Sequence, residues 1–215
     1  MIPSTKTNAL ISRANTGIDL AVASQLAKGH GYHVIIGSRQ ASAGAAAAQS
    51  IIEEGYSASS VQLDLSSNDF NAAVVKNIDL TFGRLDVLIN NAGVLLDLDK
   101  SLSTRDLFTQ TLATNVTGDA CLTEACEPLR RKSDFAHLVF VSSRMGSLRE
   151  TLNKITMYYA QDYKAYDGQC GVSWVGADEI DRIHTAWCDD RRLVRRVSFN
   201  WRRWSEEERW GLSLI

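Results

Sequence analysis

The sequence predicts an α/β fold, a doubly wound parallel sheet with helices on both faces. Three observations carry that expectation. Short apolar runs alternate with helix-length stretches, the rhythm of crossover-connected parallel strands. The runs are apolar without alternation, as strands buried on both faces are. Each run ends in polar or glycine-bearing residues, so five turns collect on one sheet edge, where such sheets bind ligands.

Asn8-Ala-Leu-Ile-Ser12 begins the series as a strand, with Arg13-Ala-Asn-Thr-Gly17 as its exit loop. Ile18, Val22 and Leu26 then fall at helical spacing, in a segment ending near Gly29 or Gly31. His33 to Ile36 is the second strand, closed by Gly37-Ser38-Arg39. The alanine-rich stretch 41–54 is the second helix, and Gly55 suits its C′ position. Ser60 to Leu63 is the third strand, ending at Asp64-Leu65. Ser66-Ser-Asn-Asp69 then looks like a cap for a helix reaching Phe82. Val87 to Ile89 is the fourth strand and breaks into Asn90-Asn-Ala-Gly93. One long helical stretch covers roughly 104–131, and His137 to Val141 is a fifth strand stopping at Ser142-Ser143. Strands after that point are doubtful, with Leu193 to Phe199 a candidate.

Composition bounds the function. The 215 residues are 45% hydrophobic with a formal net charge of −2, which leaves no electrostatic footprint for nucleic acid or an anionic membrane. No apolar run approaches spanning length and no signal-peptide segment opens the chain, so a cytoplasmic location is expected. The four cysteines show no zinc spacing, and no metal is expected. Cys121 and Cys126 fit packing on one helix better than ligation. All five tryptophans lie beyond residue 173, as do eight of the sixteen arginines, while no lysine follows Lys164. The chain therefore divides into a domain over 1–168 and an atypical Trp/Arg-rich segment over 169–215, which is not an independent domain.

The sheet edge holds the candidate site. The first turn opens a helix whose free N–H groups and dipole suit a pyrophosphate. Asp64 is placed to accept from an adenine amino group or to cap the next helix, and the sequence leaves both open. At the end of the second strand stand Ser38 and Arg39 with no acid. A ribose 2′-OH calls for a carboxylate there, whereas a guanidinium suits a 2′-phosphate, so NADP is expected over NAD. A solvated Arg39 at a helix start is the competing reading.

These residues resemble the short-chain dehydrogenase/reductase family and its Rossmann-type domain, from about residue 7 to 168. Ser12-Arg-Ala-Asn-Thr-Gly-Ile-Asp19 stands where that family has its Thr-Gly-x-x-x-Gly-Ile-Gly turn. Asp64-Leu65 looks like its adenine-contacting pair, and Asn90-Asn-Ala-Gly93 is its Asn-Asn-Ala-Gly motif intact. The resemblance implies cofactor contacts from Ser12, Asn15, Thr16, Gly17, Ile18, Ser38, Arg39, Asp64, Leu65, Asn91, Ala92 and Gly93. It also implies catalytic roles for Ser143 on the substrate oxygen, Tyr166 as acid/base, and Asn115 in ordering a relay water. The chemistry implied is hydride transfer with a carbonyl or secondary alcohol, a small-molecule substrate. Pairing of copies through the helix around Asn115 is implied as well.

The chain departs from the pattern in three places. Arg13 and Asp19 replace glycines of the first turn, where backbone and cofactor come close. Cys170 stands four residues after Tyr166, where the family has the lysine that lowers the tyrosine's pKa from about 10. Weak or absent turnover is the expectation, and a non-catalytic remnant or interaction module is the alternative reading. A tail read from a shifted frame or a misassigned exon would explain the change beyond Gly168, with a partner-binding Trp/Arg segment as its rival.

Overall fold

Strands β1 (Asn8–Ser12), β2 (His33–Ser38), β3 (Ala58–Gln62), β4 (Val87–Asn90), β5 (His137–Ser143) and β6 (Leu193–Phe199) form one parallel sheet in the order β3-β2-β1-β4-β5-β6. They belong to a computed structural model that describes residues 6–143, 154–155 and the backbone of 193–199. The other residues lie outside the description, so the Trp/Arg-rich segment is known here only through β6.

Side chains alternate across the sheet and divide the core in two. Leu10, Ile35, Leu88 and Leu138 stand level on adjacent strands and pack against Leu122, Cys126 and Leu129 on one side. Ala9, Ile11, Val34, Ile36, Val87 and Ile89 face the other way, onto Ala23, Ala27, Ala47, Ala48 and Ile51. Helices α1 (Gly17–His30) and α2 (Ala41–Glu53) supply the second face, with alanines that let them approach closely. Helices α3 (Asn68–Phe82) and α5 (Asp119–Arg130) supply the first. Burial on both sides is why β1 and β4 are fully buried along their length. The edge strand β3 is half-exposed along its length.

Asp86 ties the entry of β4 to its neighbours. Its Oδ2 accepts from the Asn8 amide at 2.7 Å, and its Oδ1 accepts from Ser133 Oγ at 2.6 Å and Arg84 Nε at 2.9 Å. The buried Cys126 thiol is pushed up to about 12 by desolvation and acts as a packing group.

Two local readings change, and one candidate strand is found. The stretch 104–131 is not one regular helix: α4 (Thr104–Leu112) passes through a π-helical segment, Ala113–Gly118, before α5 begins. A π turn inserts one residue into the register and has no compositional mark. The hydroxyl of Ser67, at the N-cap of α3, makes no capping bond; Asp64 Oδ1 closes the preceding turn by accepting from Ser66 N and Oγ at 3.0 and 2.7 Å. Leu193–Phe199 does supply a strand, parallel to β5. Gly55 follows α2 at φ +88°, as its C′ position requires. No described helix is long and apolar enough to cross a membrane.

Candidate functional site

The chain runs outward from β1 to β3, then returns to place β4 on the other side of β1. That reversal opens a crevice between the turns after β1 and β4. A cleft of about 610 Å³ lies there, within the range of small-ligand sites. Of the expected cofactor residues, Ser12, Asn15, Thr16, Ser38, Arg39, Asp64, Leu65, Ala92 and Gly93 line it; Gly17, Ile18 and Asn91 do not.

Ser12 joins the two turns. Its hydroxyl accepts from the amides of Asn91 and Ala92, both at 2.9 Å, and donates to the Ile89 carbonyl at 3.4 Å. Asn91 Nδ2 donates back to the Ser12 carbonyl at 3.2 Å. The two asparagines thus separate in role. Asn90 is fully buried, and its Nδ2 donates to Thr123 Oγ1 on α5 at 2.8 Å, which anchors the strand end to the helix layer. Asn91 holds the cleft edge.

The first turn keeps the backbone its glycines would demand. Gly17 has φ +61°, and Arg13 has φ +59°, the one left-handed non-glycine among the described residues. The exposed Arg13 side chain crosses to donate from Nη1 to the Gly93 carbonyl. Asp19, in the first turn of α1, is half-buried. Desolvation raises its pKa, against the opposing pull of a hydrogen bond from Asn91 and the charge on Arg13. Thr16 caps α1 with its backbone only, without a side-chain bond.

The wall opposite is cationic and acidic side by side. Arg39 is exposed at the β2 end, and the Ser38 hydroxyl donates to the Gln40 carbonyl at 2.9 Å. Asp64 is held below the usual carboxylate range, chiefly by its hydrogen bonds from Ser66, with a smaller contribution from the Arg39 charge. Asp64 thus closes the turn before α3 and lines the cleft, while Ser67 and not Asp64 stands at the N-cap of that helix. The residues present fit a dinucleotide's adenosine half, apart from the Arg13 side chain, which lies in the cleft.

Asn115 is buried in the π segment, 4% exposed. Its Oδ1 accepts from the Val94 amide at 2.7 Å and its Nδ2 donates to the Val94 carbonyl at 2.8 Å. This clasp fixes the chain leaving Gly93. Ser143 ends β5, three residues beyond Phe140, which pairs with Asn90. Tyr166 and Cys170 lie outside the described residues. The cleft also takes Arg13, Gln40, Leu63, Ser66, Val94 and Thr114, none of them among the expected cofactor contacts.

With that geometry in view, comparison with known proteins gives one consistent result. Residues 7–161 match the family model described as short chain dehydrogenase. A short-chain dehydrogenase/reductase of Stachybotrys chlorohalonatus is 38% identical over 151 residues, covering 67% of this chain and 55% of that protein. A short-chain dehydrogenase of Penicillium roqueforti is 32% identical over 160 residues, covering 73% of this chain and 64% of the relative. The chain thus spans less than two thirds of the length of these relatives. Among solved structures, a metagenomic short-chain oxidoreductase in complex with NADP superposes with a TM-score of 0.67 at 26% identity, over 89% of this chain and 81% of the other.

Proposed function

The chain belongs to the short-chain dehydrogenase family, and we propose that it is an NADP-dependent oxidoreductase acting on a carbonyl or a secondary alcohol. One observation carries the cofactor choice: Arg39 lines the cleft directly after β2, where no acid stands to accept from a ribose 2′-OH. A 2′-phosphate would meet that guanidinium, and a relative of similar fold binds NADP. Asp64 would take the adenine end, and the Ser12-linked turn 91–93 the adenosine ribose. Bound NADP supplies or accepts the hydride. In this reading Ser143 holds the substrate oxygen, Tyr166 moves the proton, and Asn115 keeps the relay-side loop in place. The reading extends to a small-molecule substrate, a cytoplasmic location and pairing of copies through the helical stretch around Asn115. It also keeps 169–215 as an appended segment of the 1–168 domain.

Titration by nicotinamide fluorescence tests the proposal. Wild-type protein is expected to bind NADPH at least tenfold more tightly than NADH, with Arg39→Gln bringing the two together. Equal binding in the wild type would remove the NADP assignment. A second reading, a non-catalytic remnant, draws on the Arg13–Gly93 contact inside the cleft and on Cys170 in the lysine's place. The absence of binding at millimolar NADPH favours it.

A further inference from the structure

Two guanidiniums, those of Arg13 and Arg39, line one cleft, and among the described residues neither has a carboxylate within ion-pair distance. The strands fix how the two are spread. Ser12 at the end of β1 is level with Gly37 of β2 on one side, and Ile11 is level with Ile89 of β4 on the other. Arg39 follows the β2 end. Arg13 leaves the β1 end and reaches the opposite way, to donate from Nη1 to the Gly93 carbonyl beyond β4. The positive charge of the cleft therefore stands at two points, one on each side of the turn after β1.

The turn holds Arg13 in place at a cost. Its backbone is left-handed at φ +59°, which is disfavoured for a side chain of this size. The next amide, of Ala14, donates to the Gly37 carbonyl at 3.1 Å and ties the turn to the end of β2. The Gly93 carbonyl gives the guanidinium a hydrogen bond but no countercharge. Nε and Nη2 make no hydrogen bond among the described residues, and the side chain is exposed. An uncompensated, donor-rich cation at the head of the turn that opens α1 is suited to an anion.

We propose that Arg13 binds the diphosphate of the dinucleotide, as its counterion on the β4 side of the cleft. Arg13 then sets affinity for the dinucleotide as such, while Arg39 on the β2 side sets the choice between NADP and NAD. A glycine at this place leaves the diphosphate to backbone N–H groups alone; the guanidinium adds a fork of donors matched to phosphate oxygens. The seat on Gly93 is the resting position of the side chain, given up when charged oxygens replace one carbonyl as acceptor. This inference rests on the dinucleotide reading of the cleft.

The test is titration of NADPH and NADH by nicotinamide fluorescence into the full chain as wild type, Arg13→Gln and Arg13→Lys, each first checked for a cooperative thermal transition. Both nucleotides carry the same diphosphate. Arg13→Gln is therefore expected to weaken the two by the same factor, about tenfold, and to leave their ratio as in wild type. Arg13→Lys keeps the charge and is expected to bind both more tightly than Arg13→Gln. Arg13→Asn, which tolerates a left-handed backbone, takes the place of the glutamine variant if that one fails to fold. A neutral variant that binds NADPH as tightly as wild type, or more tightly, overturns the inference, since the side chain is then idle or an obstruction. A loss confined to NADPH overturns it as well, because it assigns the guanidinium to the 2′-phosphate. Wild-type protein that binds neither nucleotide at millimolar concentration overturns the dinucleotide reading, and this inference with it.

Discussion

Asp119 shows how much one carboxyl can weigh on this fold. It heads the sheet-facing stripe of α5, continued by Leu122, Thr123 and Cys126, and is 8% exposed. Its Oδ1 is buried without a hydrogen-bond partner, and desolvation pushes its pKa well above the ordinary value. A raised pKa means that the folded state holds the proton more tightly than the unfolded chain does. Stability is therefore greatest below the ordinary aspartate range and declines as pH rises from there toward the raised value. Asp119→Asn removes that decline. Urea denaturation at pH 5 and pH 8 is expected to show the variant more stable than wild type at pH 8 by about 1 kcal/mol or more, with a smaller difference at pH 5. An identical pH response in both proteins would contradict the assignment. Arg13 makes a different point at the same scale: the turn keeps its left-handed backbone after the glycine is gone, so the topology of the crevice dictates that φ value.

At the level of elements, the π segment decides where the loop after β4 goes. A regular helix through 113–118 would turn Asn115 away from its present position, because an inserted residue rotates the helical turns on its two sides relative to each other. The extra residue lets Asn115 clasp both backbone groups of Val94 while Thr123, Leu122 and Cys126 still face the sheet. Asn115→Ala leaves two backbone groups short of a partner and is expected to cost about 2–3 kcal/mol. The Val94 amide should also exchange with solvent faster in the native state. Unchanged stability and exchange would show that the clasp is dispensable. Gly118 belongs to the same junction. A Cβ there would lie 2.7 Å from Leu65 Cβ and 2.8 Å from the Leu65 carbonyl oxygen, so the helix layer meets the cleft wall through a glycine-sized gap.

At the scale of the molecule, the site exists because the sheet changes direction between β1 and β4, and Asp86 secures that junction at the opposite end of the strands. It joins β1, the β4 entry and the loop before β5 through Asn8, Arg84 and Ser133. Asp86→Ala leaves the Asn8 amide and the Ser133 hydroxyl without their acceptor. A loss of about 3 kcal/mol is expected from urea unfolding followed by circular dichroism, with an unchanged dependence on urea. A loss below about 1 kcal/mol would show that the sheet holds the junction without it.

The sequence by itself determined the five strands through β5, the three helices before β4 and the edge on which the turns collect. Those features depend on local periodicity and on where apolar runs stop, which any stretch of ten residues carries. It also located Ser12, Ser38, Arg39, Asp64 and the 91–93 turn, because a strand end in a parallel sheet has only one edge to reach. Only the tertiary structure decided what the side chains at that edge do to one another. The division of Asn90 and Asn91 between helix layer and cleft, the Asn115 clasp on Val94 and the meeting of Arg13 with Gly93 all join residues 20 to 80 positions apart. Such contacts are set by the stacking of layers and the one-residue shift of a π turn, and neither leaves a trace in the spacing of residues along the chain.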